Sequence, residues 1–237
     1  MQLIDPIQQH DFNTRWFGKP CGISSSAELL ELSAAELSEL CRPYAFVELR
    51  LPAPTAATDR LLPTNGLVQV DTQLSYRLPV ARVGASPAGV RATRFPDLSM
   101  DTSWPQHMAA FGVERYGRLS LVDVELLQRR YTLWASELVE RNPAWCLRID
   151  SEAGTEGFAF ATPNLGGTRL TLDLVAGSKQ SSLPGLAVFL CAVNTYRSLG
   201  VRSISSSFSA HNIGAVNAHI ALGCRVMAST DIWFYEP

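Results

Sequence analysis

Between an apolar, strand-like run ending near Val175 and an apolar, helix-like run beginning at Leu186, the chain reads Ser182-Leu183-Pro184-Gly185-Leu186-Ala187. A tight glycine turn that opens a helix leaves several backbone N–H groups without intrahelical partners, at the positive end of the helix dipole. Such a turn suits an anion, a pyrophosphate above all. Gly185 lets the main chain approach that anion closely, and Ala187 leaves room beside it. The plainer alternative is a well-packed strand-to-helix turn that holds no ligand.

The second half of the pattern begins at Asn212. The spacing Asn212-x-x-Ala215-x-x-x-His219-x-x-x-Gly223 predicts a short amphipathic helix that ends at a glycine C-cap, and residues 225–235 read as a closing strand.

Upstream, the capping-box spacing of Ser25 and Glu28, with Leu30, Ala34, Leu37 and Cys41 on one face, predicts a helix over 26–41. Residues 44–51 and 67–78 read as strands, the second partly alternating and rich in β-formers, with a short helix between them near Arg60. Gly84, Pro87, Gly89 and Pro96 make the following stretch a connection, which places a boundary near residue 85 between halves 1–85 and 86–237, with a strand near 90–92. Helices are predicted over 104–115 and 121–140, then strands over 145–150, 157–162 and 168–176 joined by short turns as antiparallel hairpins. A packed helix over 186–199 and a strand over 202–208 complete the pattern.

At 237 residues with 46% hydrophobic content, the chain can bury a sizeable core. A net charge of -2 supplies no field to recruit nucleic acid or an anionic membrane. With no signal segment and no apolar run near the roughly 18 residues of a membrane span, a soluble, cytoplasmic protein is expected. Cys21, Cys41, Cys146, Cys191 and Cys224 are odd in number and scattered, so they read as reduced, mostly buried thiols. His10, His107, His211 and His219 show no metal-binding spacing.

The order strand, small-residue loop, helix, strand, Asn-led helix, Gly, strand resembles the C-terminal half of the GCN5-related N-acetyltransferase (GNAT) family, which uses acetyl-CoA. The family loop, Gln/Arg-x-x-Gly-x-Gly/Ala, is matched over 182–187 except at Ser182, where a long polar residue belongs. Near the start, Asn13-Thr14-Arg15-Trp16-Phe17-Gly18-Lys19-Pro20 is similar to a Trp/Asp-x-x-Phe-Phe-Gly-x-Pro opening. With Val70-Asp71-Thr72 and Ala92-Thr93-Arg94-Phe95, it resembles the dTDP-fucosamine acetyltransferase branch.

The resemblance implies an α/β (α+β) GNAT fold: a mixed, mostly antiparallel sheet flanked by helices, with a reduced GNAT-like half at the N-terminus. It implies an N-acetyltransferase that takes acetyl-CoA as acyl donor and a small-molecule amine as acceptor, the amine of a nucleotide-linked amino sugar in that branch. A homodimer is compatible with this reading. Ser182, Leu183, Pro184, Gly185, Leu186 and Ala187 would hold the pyrophosphate, and Asn212 the pantetheine arm while also capping its helix. A backbone N–H near Leu174 or Val175 would receive the carbonyl oxygen.

His219 stands at the family's tyrosine acid, and an imidazolium can give up a proton at neutral pH. Its alternative is a packing role, with Tyr235, Cys224 or water as the acid, or none needed. The general base stays unassigned among Asp173, Glu137 and Glu140. Ser182 and Pro184 each remove a contact at the phosphate loop, for which Lys179 and Gln180 are upstream substitutes. The rival reading is therefore a degenerate GNAT-fold binding protein without turnover.

Overall fold

The computed structural model describes residues 6–53, 64–98, 104–109, 111, 114–164 and 166–237. In chain order these form β1 (Gln8–Gln9), α1 (Asp11–Phe17), β2 (Gly22–Ser24), α2 (Ala34–Cys41), β3 (Val47–Pro52), β4 (Val68–Pro79) and β5 (Arg91–Arg94). There follow α3 (Val124–Arg141), β6 (Cys146–Ser151), β7 (Gly154–Pro163), β8 (Arg169–Gly177), α4 (Gly185–Ser198), β9 (Ser203–Ser209), α5 (Ile213–Ala221) and β10 (Arg225–Tyr235). The strands make one sheet in the order β1-β2-β3-β10-β4-β9-β8-β7-β6-β5. It is antiparallel except at β2/β3 and β8/β9.

The last strand, β10, lies between β3 and β4, so the C-terminal segment is built into the N-terminal part of the sheet. The connection around residue 85 carries the chain from β4 in the middle of the sheet to β5 at its far edge.

Each sheet face has its own apolar layer. On one, α4 packs Val188, Ala192 and Tyr196 on Leu78, Ala159, Leu170, Leu172 and Ile204. On the other, α3 packs Tyr131, Ala135 and Leu138 on Cys146, Phe158, Phe160, Leu174 and Ala176. Gly157 is required by this packing: a Cβ there would stand 2.6 Å from the Ala176 carbonyl oxygen and 2.8 Å from Val188.

Two expected elements form differently. Over 26–41 the chain makes a short 3-10 turn at Ala27–Leu30 and restarts as α2. Ser33 and Glu36 form a full capping box there, a stronger start than Ser25 and Glu28, so Ser33 breaks the predicted helix in two. In the predicted helix 104–115, Trp104–His107 is a 3-10 turn and Met108 bridges to Ser178, which commits its backbone to the sheet. The predicted helix near Arg60 lies outside the described residues. All five cysteines are free, four of them buried. No helix among the described residues is long and apolar enough to cross a membrane.

Candidate functional site

Strands β8 and β9 run parallel only from Arg169↔Ser203 to Thr171↔Ser205. Beyond these pairs they part, and a cleft of about 280 Å³ opens between them, walled by Leu172, Val175, Phe189, Phe208, Asn212 and His219 among others. At its mouth the Ser206 hydroxyl donates to the Leu172 carbonyl oxygen at 2.5 Å, replacing the lost ladder bond.

A β-bulge at Asp173 shapes the same place, since Phe160 pairs with Leu174 and Ala161 with Leu172. The extra residue shifts the side-chain alternation: Leu170 and Leu172 join the α4 layer, Leu174 and Ala176 the α3 layer. Past the bulge, Leu174 and Val175 run along an edge with no β9 partner, and any main-chain donor there that does not serve β7 is turned to the cleft.

A larger cavity of about 980 Å³ adjoins the cleft on the other face and shares Gln73, Tyr76, Arg115, Arg130, Asp173 and Ser206 with it. The N-terminal elements supply much of its wall, through His10, Asn13 and Arg15 of the α1 region, Arg50 of β3 and Ser75 and Arg77 of β4. Behind that wall Glu48 is fully buried and accepts from the Tyr116 hydroxyl at 2.6 Å and from Arg50 Nε at 2.8 Å. Burial alone would raise its pKa; the guanidiniums of Arg115 and Arg50 outweigh that and hold the carboxyl at about 2.

Asp173 sits where the cleft and the cavity meet, its Oδ2 accepting from the Thr162 hydroxyl at 2.7 Å. Burial raises its pKa above that of an ordinary aspartate, against Thr162 and Arg141. A carboxylate made more basic at such a junction can take a proton from a group in the larger cavity.

His219 is ringed by Tyr76 at 4.5 Å, Phe208 at 4.7 Å and Phe189 at 4.9 Å between ring centroids. Its Nδ1 is 2.7 Å from the Ala215 carbonyl oxygen, which can only accept, so Nδ1 carries the proton and Nε2 the lone pair. Burial lowers its pKa and the Ala215 contact only partly offsets this, leaving the ring neutral at pH 7.

Of the residues singled out in the sequence, Leu174, Val175, Asn212 and His219 come together around the cleft. Asn212 Oδ1 accepts from the Ala215 amide at 3.1 Å and so caps α5 as expected.

The loop 182–187 is not part of the cleft wall. Two of its amides are already taken: Glu156 Oε2 accepts from Ser182 N at 2.7 Å and from Leu183 N at 3.2 Å. The same carboxylate accepts from the hydroxyls of Ser151, Ser181 and Ser182, and Glu156 is 1% exposed. Bonds from Ser151 and Ser182, with those from Ser181 and the Ser182 amide, hold its pKa at about 2, overcoming burial. Gly185 and Leu186, the first residues of α4, keep their amides without a partner among the described residues, and a Cβ on Gly185 would meet nothing within 4 Å.

An acetyl-CoA pantetheine arm would lie in the cleft, and of the loop amides those of Gly185 and Leu186 would remain open to a phosphate. The Ser182 and Leu183 amides are occupied by the chain's own anion.

No family model and no curated protein matches this chain. Solved structures do. A GCN5-related N-acetyltransferase from Sphaerobacter thermophilus superposes with a TM-score of 0.60 at 15% identity, over 97% of this chain and 75% of that one. A functionally unknown conserved protein from Staphylococcus epidermidis gives 0.59 at 8% identity, over 92% and 84%. A tandem GNAT protein from the clavulanic acid biosynthesis pathway, solved without AcCoA, gives 0.54 at 14% identity, over 92% and 76%. At these identities the likeness is one of fold: the chain has the mixed, mostly antiparallel GNAT architecture.

Proposed function

We propose that this protein is an acyl-CoA-dependent N-acyltransferase, with acetyl-CoA as donor and a small primary amine as acceptor. The observation that carries the reading is the parting of β8 and β9 after Thr171 and Ser205, which opens a cleft that meets the larger cavity at Asp173. The donor supplies a thioester acyl group from the cleft side. The acceptor amine enters from the larger cavity, whose volume of about 980 Å³ admits the amine of a nucleotide-linked sugar, the acceptor the sequence resemblance implies.

In this reading the unpaired edge at Leu174 and Val175 offers a main-chain N–H to the acyl oxygen, where developing charge is held by a fixed dipole. Asp173 receives the proton the amine loses on attack, the C–S bond of the thioester breaks as the C–N bond forms, and CoA leaves as the thiolate, which takes a proton from water. His219 as proton donor would act from its imidazolium, the form burial disfavours, so we assign it instead to the cleft wall, with Nε2 as a hydrogen-bond acceptor.

One observation favours a second reading, a GNAT-fold binding protein without turnover. The Glu156 carboxylate fills the amides a pyrophosphate would use, and a second anion beside it is repelled. Calorimetric titration with acetyl-CoA and mass-spectrometric detection of an acetylated amine across an amine panel separate the two. Binding with transfer supports the acyltransferase; no heat and no product with any amine supports the binding protein.

A further inference from the structure

The floor of the larger cavity is a sheet face with an unusual content. By register, Arg77 lies opposite Ser205 on one side of β9, and Arg169 opposite Ser203 with Thr171 opposite Ser205 on the other. Alternation then sets Ser75 and Arg77, Ser203, Ser205 and Ser207, and Arg169 and Thr171 on one face, and all seven line the cavity. Ser75, Ser203, Ser207 and Thr171 make no side-chain hydrogen bond among the described residues, so their hydroxyls are free for a ligand.

The charges on this floor are equally unspent. Arg15 and Arg141 pair with Glu137, and Arg50 and Arg115 with Glu48. Arg77 and Arg169 have no carboxylate partner among the described residues, and Arg77 of β4 stands opposite Arg225 of β10 in register. Like charges directly opposite on neighbouring strands are destabilising, so the fold gains nothing from this arrangement. On the opposite wall Arg130, 7% exposed, pairs with Glu114 at 3.7 Å and leaves its Nε without a partner. The Cα atoms of Arg77 and Arg169 lie diagonally across β9, about 12 Å apart by strand spacing and rise, so their long side chains can converge over Ser203 and Ser205.

We propose that this face is the seat of an oxyanion group, a phosphate or a carboxylate, carried by the acceptor and gripped by Arg77 and Arg169 above the serine hydroxyls. Arginine forks match such groups with paired hydrogen bonds, and the hydroxyls satisfy the remaining oxygens. Thr171 and Asp173 are two residues apart on β8, a step of about 7 Å, so the acceptor carries its amine at least that far from its anion. The assignment rests on the acyl-transfer reading for the word acceptor; the seat itself does not.

The test is calorimetric titration of the full chain, without acetyl-CoA, with inorganic phosphate, inorganic pyrophosphate and succinate. The wild type is compared with Arg77→Gln/Arg169→Gln and with the charge-matched control Arg82→Gln/Arg91→Gln. At least one probe binds the wild type, weakens at least tenfold in the first variant and less than twofold in the control; the tighter probe names the source of the anion. Thermal melting shows the first variant folded and no less stable, since it removes one of the two like charges placed opposite each other at Arg77 and Arg225. No binding of any probe, or equal binding in Arg77→Gln/Arg169→Gln, overturns the proposal. Acetyl-CoA titrated alone reports on the acyl-transfer reading separately: anion binding without acetyl-CoA binding removes that reading and keeps the seat.

Discussion

Glu156 Oε2 accepts a hydrogen bond from the backbone N–H of Ser182 at 2.7 Å. A residue of β7 thereby occupies the anion position of the loop that leads into α4. The loop is held closed around a negative charge supplied by the chain itself.

Exchanging that charge has two expected effects. Glu156→Gln lowers the melting temperature at pH 7, because five donors bond the two carboxylate oxygens and a neutral amide offers them a single acceptor oxygen beside an NH2 that cannot accept. The folded pKa of about 2 lies below the unfolded value, so Glu156 stabilises above about pH 4.5 and loses its contribution as pH falls toward 2. Melting curves of wild type and variant should therefore converge over that window. The same substitution should tighten acetyl-CoA binding, by removing the competing anion.

Asp173→Asn separates activity from stability. The amide keeps the Thr162 contact and removes the proton acceptor, so kcat should fall by about 10²- to 10⁴-fold with acetyl-CoA affinity nearly unchanged. Because burial raises the folded pKa of Asp173, its ionised form costs stability at neutral pH, and the variant should be at least as stable as the wild type. Steady-state kinetics and thermal melting together check this; an unchanged kcat removes Asp173 from the chemistry.

His219 and His10 both have pKa values lowered by burial, so the unfolded chain binds their protons first as pH falls below about 6.5. Stability should decline on acidification from that point. His219→Phe, which keeps the aromatic packing, should be more acid-resistant than the wild type, its advantage growing below pH 6.5 and small at pH 7.5. Turnover of this variant at pH 7 should stay within about threefold of the wild type if the ring is only a wall, whereas a proton-donor role predicts a loss near that of other general acids, about 10²-fold or more.

Tyr116→Phe tests the buried support behind the cavity. It deletes the hydroxyl that donates to Glu48 and accepts from Asn13, both buried, and should cost about 2 kcal/mol in denaturant unfolding, the range for bonds to charged groups.

Apolar runs and their spacing made β4, β6–β10 and α4 readable within a residue or a few of their ends, and the Asn212 cap and Gly223 stop did so for α5. Leu174 and Val175, which the family resemblance implies, and Asn212 and His219, which stand out by spacing, lie together around the cleft. Glu156 was not: it precedes Ser182 by 26 positions and reaches it only because the β7/β8 hairpin brings both to one end of the sheet. The bulge at Asp173 leaves no compositional trace, since it depends on pairing with Phe160 and Ala161. The arginine floor was equally hidden, although serines at every second position of 203–207 are the signal of a hydrophilic strand face that, with Arg77 and Arg169, could have pointed to it.

Hydrogen exchange of the backbone amides, measured with and without saturating acetyl-CoA, bears most directly on where the donor sits. Slower exchange confined to residues 172–177, 185–187 and 206–213 is the predicted result, as the donor fills the space between β8 and β9 and meets the start of α4. Unchanged exchange in all three segments, at an acetyl-CoA concentration that saturates any binding seen by calorimetry, would contradict the account.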